Sequence, residues 1–91
     1  MSERDRRPPD MNEDALSLVV DLQRYGGWLG KDHASVAVRV DVRELAAAMQ
    51  AGHETSSWLQ LLDNDLRRLQ AGGVRTMLRR AFDALQAVLE P

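Results

Sequence analysis

Apolar residues recur along this chain with two different periods, and the two meet in the stretch SVAVRVDVREL, residues 35–45. On its N-terminal side, Leu18, Leu22, Tyr25 and Leu29 stand at i, i+4, i+7 and i+11, the spacing that places side chains on one face of an α-helix. Asn12 is a candidate cap for that helix. Glu13 and Asp14 follow in its first turn, where the helix dipole favours carboxylates. Gly26 and Gly27 weaken the last turn by about 1 kcal/mol each relative to alanine, and Gly30-Lys31-Asp32 breaks the pattern.

In the middle stretch the period changes to two. As a strand over 34–40, it points Val36, Val38, Val40 and Val42 to one side and Ala37, Arg39 and Asp41 to the other. The competing assignment is a helix from Asp32 to Gln50 with Val38, Val42, Leu45 and Met49 as its stripe. That helix leaves Val36 and Val40 on the polar side. Two arguments favour the strand. Each β-branched valine loses side-chain freedom against the preceding turn of a helix. Asp41 also stands three residues before Glu44, a capping-box pattern that would start a helix at Val42.

Further on the period is helical throughout. Glu44 to Ala51 (ELAAAMQA) is strongly helix-forming, with Gly52 as a C-cap. Ser56 or Ser57 is placed to cap the next helix, and Ser57 forms a second box-like pair with Gln60. Leu59, Leu62, Leu66 and Leu69 follow at spacings of three and four, and Gly72-Gly73 reads as the stop. The last stripe is Val74, Met77, Leu78, Ala81, Leu85 and Val88. The expected fold is mainly α: a flexible tail over 1–11, then a single helical domain over 12–91. In that domain a helix is followed by one short β element over about 34–40, then three helices with a C-terminal αα-hairpin. An all-α four-helix bundle is the fallback.

A lone strand leaves backbone donors and acceptors open along both edges. Residues 24–29 (RYGGWL) could pair with it inside the chain. A chain of 91 residues sits near the lower limit for folding alone. Pairing of Val36, Val38 and Val40 with the same residues of a second copy is therefore the favoured solution, which makes the protein a homodimer.

Strand VAVRVD, helix VRELAAAMQAG and a second helix begun by TSSWLQLL together resemble the ribbon–helix–helix family of DNA-binding dimers, over about residues 34–70. The resemblance implies that the outward strand residues, Ser35, Ala37 and Arg39, would enter the major groove, with Ser35 and Arg39 as the DNA contacts. A helix-turn-helix is a further arrangement, but Asp63 and Asp65 on its would-be recognition helix repel phosphate.

Composition narrows the function. The net charge of −2 gives no general attraction to nucleic acid or anionic lipid. Cysteine is absent, which removes disulfides and thiol chemistry and points weakly to the cytoplasm. No apolar run reaches the roughly 18 residues of a membrane span, and the N-terminus lacks the apolar core of a secretory signal. Arginine supplies 11 of the 12 basic residues. Arg67, Arg68, Arg75, Arg79 and Arg80 should meet near the Gly72-Gly73 turn, as a patch for phosphate or an acidic protein. The helix dipole explains Arg67 and Arg68 at a C-terminus but disfavours Arg75 and Arg79 near an N-terminus.

Other constellations carry little chemistry. His33 and His53 lack metal-ligand spacing, so no metal or cofactor is expected. Ser56 and Ser57 near His53 read as caps, not as nucleophiles. Trp28 and Trp58 read as core or interface anchors. The expected function is therefore that of a small non-enzymatic adaptor, inhibitor or regulator that binds another macromolecule as a homodimer. The alternative is a ribbon–helix–helix-like DNA-binding repressor or antitoxin.

Overall fold

The structure is a computed structural model that describes residues 13–90, so the expected tail over 1–11 and the Asn12 cap lie outside the described residues. Four helices make up the fold: α1 Glu13–Gly26, α2 His33–Ala51, α3 Ser56–Arg68 and α4 Gly73–Leu89. No strand occurs among the described residues, and the valine run is continuous helix within α2. The expected β element over 34–40 is thereby corrected, and Val36, Val38 and Val40 form no dimer ribbon.

Magnitudes explain the outcome. Four helical valines cost about 2–3 kcal/mol relative to alanine. Burying Val38 and Val42, which are 0% and 2% exposed, returns about 1.5–3 kcal/mol each. Leu45 and Met49 extend the same buried stripe. The helix starts upstream of the valines because Asp32 is its N-cap. The Ser35 N–H and hydroxyl donate to the Asp32 carboxylate at 3.2 and 2.6 Å. These two bonds draw the Asp32 pKa below its ordinary range, the hydroxyl being the larger cause. Asp41 is therefore an interior residue and caps nothing.

Each helix packs against its neighbours in sequence, and α4 returns to close the ring on α1 in the broadest of the four interfaces. The diagonal pairs do not approach. The helices alternate up and down. Ser56 at the start of α3 donates to Glu90 just beyond α4 at 3.0 Å, and Arg75 in the first turns of α4 reaches the Leu69 carbonyl beyond α3 at 3.2 Å. Trp28 and Asp32 share a cleft with Leu69 and Val74, so both of these connections lie at one end. The core holds Leu22 of α1, the α2 stripe, Leu59, Leu62 and Leu66 of α3, and Leu78, Phe82 and Leu85 of α4.

Several local expectations shift by a residue or a role. On α1 the buried face is Ala15, Val19, Leu22 and Gly26, while Leu18, Tyr25 and Leu29 only flank it. On α4, Met77 is exposed and Phe82 takes its place in the core. Gly52 ends α2 as expected, at φ 72. The His53 and Gly52 amides donate to Ala48 and Met49, a Schellman closure that needs the left-handed backbone. The serine caps are replaced. Glu54 accepts from the Ser57 amide at 3.1 Å and its hydroxyl at 2.8 Å, and Thr55 is the N-cap residue. Helix α3 ends at Arg68, four residues before the glycine pair.

Candidate partner-binding surfaces

Of the five arginines singled out by sequence, Arg67, Arg75 and Arg79 line one small cleft and Arg75, Arg79 and Arg80 another, and most are engaged within the chain. Arg79 bridges to Asp63 at 2.5 Å, stands 3.8 Å from Asp83, and lies over the Phe82 ring at 5.4 Å. Arg67 pairs with the same Asp63 at 3.1 Å, and Arg68 lies 4.0 Å from Asp65. Arg75 donates to the Leu69 carbonyl and so closes the C-terminus of α3. The conflict of Arg75 and Arg79 with their own helix dipole is answered by the neighbouring helix. Arg80 alone of the five is exposed without a partner among the described residues. A cleft of about 350 Å³ opens beside Arg75, Thr76, Arg79 and Arg80.

Ser35 and Arg39, the contacts implied by the DNA-binding resemblance, are both engaged within the chain. Ser35 is buried on Asp32. Arg39 spans from α2 to the end of α1, where its Nη1 donates to the carbonyl of Gly30 at 2.8 Å and to those of Gly26 and Leu29 at 3.4 Å. It ties the last residue of α1 and the loop that follows to α2. His33 and His53 lie at opposite ends of α2, about 30 Å apart by helix rise. Trp28 is 57% exposed, its ring 5.4 Å from Tyr25.

A second surface emerges between α1 and α2. A groove of about 410 Å³ has Leu22 and Val42 at its floor and Val36 and Val40 on its α2 wall. Val36 and Val40 are 42% and 38% exposed. Buried Gly26 and exposed Gly27 line the α1 wall at one end, where Gly27 brings backbone to the surface. Gln23, Arg39 and Arg43 complete the lining, which contains cations and no carboxylate.

No protein family model, curated protein or solved structure matches this chain. The surfaces must therefore be read from their chemistry. No described helix is long and apolar enough to cross a membrane. The groove was legible in one detail of the sequence: the helical assignment of 32–50 leaves Val36 and Val40 on the polar side, and both are exposed.

On the opposite side of α2, polarity is reversed. Asp41 is 7% exposed, and its Oδ2 has no hydrogen-bond partner. Burial, then hydrogen bonding and repulsion with the Asp65 carboxyl of α3, push its pKa up to about 7. Two carboxyls this close hold together when one carries a proton and repel when both are ionised.

Proposed function

We propose that this chain is a non-enzymatic interaction protein that docks a helix of another protein in the groove between α1 and α2. The exposure of Val36 and Val40 over an apolar floor carries the reading. Valine in a solvent-facing helix position is worse than alanine for the helix and adds nothing to the core. Its presence twice, one turn apart, fits selection for a contact outside the chain. A groove between two adjacent helices is a ready seat for a third, whose apolar anchors recur at i, i+3 and i+4. The regulatory role expected from sequence then amounts to occupying, or being occupied by, such a segment.

The test uses a synthetic amphipathic helix of leucine and alanine with glutamine flanks, followed by amide chemical shifts. Shifts should centre on Gln23, Gly27, Val36 and Val40, and vanish in a Val36→Asp, Val40→Asp variant whose thermal unfolding remains cooperative. An absence of shifts, or shifts centred on α3 and α4, rejects the reading.

A further inference from the structure

Resting on that reading, we infer that the docked helix is acidic along the edge that meets α2. Arg39 and Arg43 stand four residues apart on one strip of α2 and both line the groove. Arg39 is accounted for by its bonds to the end of α1 and the loop beyond it, but like charges at that spacing disfavour a helix, and nothing comparable accounts for Arg43. Arg39 lines the groove but is already engaged by the carbonyls of Gly26, Leu29 and Gly30, so it contributes a fixed positive charge rather than a free donor. Arg43 is exposed and has no ion pair among the described residues. The contrast with the other end of the molecule is direct: Arg67, Arg68 and Arg79 each have a carboxylate of the same chain within 4.0 Å. Among the described residues no carboxylate lines the groove.

The geometry also sets a register. Val36, Val40 and Arg43 follow one another down α2 at spacings of four and three. A helix laid along that wall meets it with two apolar residues one turn apart and a Glu or Asp one turn further. At the other end exposed Gly27, which has no side chain, leaves room for a larger residue of the partner. Charged pairing at the rim sets orientation and association rate more than total affinity. The preference should therefore be strongest at low salt.

Three peptides with one leucine–alanine face, flanked by Glu, Gln or Lys, are titrated by fluorescence anisotropy into the full chain and into Arg43→Glu. The Glu peptide should bind the unaltered chain tightest, by about tenfold over the Lys peptide at low salt, and Arg43→Glu should reverse that order. Equal binding of all three, abolished by Val36→Asp, overturns the acidic partner and leaves the docking reading standing. Binding of none overturns both. Self-association in sedimentation equilibrium that is lost in Val36→Asp makes a second copy the occupant and overturns the inference. Adsorption to anionic lipid vesicles with the same dependence on Arg43 does so too. Val36 and Arg43 are both exposed, and a circular dichroism melt confirms that each variant is folded.

Discussion

Helices α2 and α4 are similar in length, occupy non-adjacent positions in the ring, and obey opposite rules. In α4 the buried residues are Leu78, Ala81, Phe82 and Leu85, and two of its three arginines, Arg75 and Arg79, find acceptors on α3 or at its end. Stability accounts for that face of α4, though Met77 is exposed and the Nη1 of Arg79 is buried without a partner. In α2 a carboxylate is buried and two valines face solvent. Both choices weaken the isolated fold, one by desolvating an acid and the other by spending apolar surface on water. On two faces, α2 therefore departs from the local rules that α4 largely follows.

That contrast can be broken most forcefully at Phe82. Phe82→Ala should cost about 3–5 kcal/mol in urea unfolding, since a fully buried ring leaves a cavity. A small effect would show that α4 is no better packed than α2. Asp41→Asn should act in the opposite direction, raising stability by about 1–2 kcal/mol at pH 8, because the amide can donate to Asp65. The sign with pH follows from the raised pKa of Asp41. Between its ordinary value of 3.8 and about 7 the folded chain holds a proton that the unfolded chain has released. Stability should therefore fall as pH rises through that window, and Asp41→Asn should flatten the slope. An unchanged slope in the variant would assign the dependence elsewhere. Asp32 and Glu54, whose pKa values are lowered by their serine partners, act with the opposite sign only below their ordinary range.

Gly52→Ala should cost about 1 kcal/mol by forcing a side chain into the left-handed closure of α2. Smallest of all, Val36→Ala and Val40→Ala should each stabilise the free chain by a few tenths of a kcal/mol while weakening peptide binding. Loss of both stability and binding together would mean that these valines belong to the core after all.

Much of this architecture can be read from the sequence, and the failures are physical. Leu59, Leu62, Leu66 and Leu69 are unambiguous because a strongly periodic stripe admits one buried face, and all four are buried. The valine run misleads because its strand and helix patterns overlap. What decides between them is a cap nine residues upstream of Asp41, at Asp32, and a burial gain that only the assembled bundle supplies. Arg75 and Arg79 look like a binding patch because their acceptors, Leu69 and Asp63, lie on the far side of a turn whose geometry spacing alone does not fix. The groove was half visible: the stranded valines are in the sequence, but the companion wall at Gly26-Gly27 follows from how α1 lies on α2.

The broadest interface joins the first described helix to the last. During synthesis α1 therefore emerges long before its main partner, and its apolar face at Ala15, Val19 and Leu22 waits some fifty residues for cover by α4. A truncation that removes α4 would leave an adhesive remnant rather than a smaller bundle, and quality control on the ribosome would meet this chain as an all-or-nothing object.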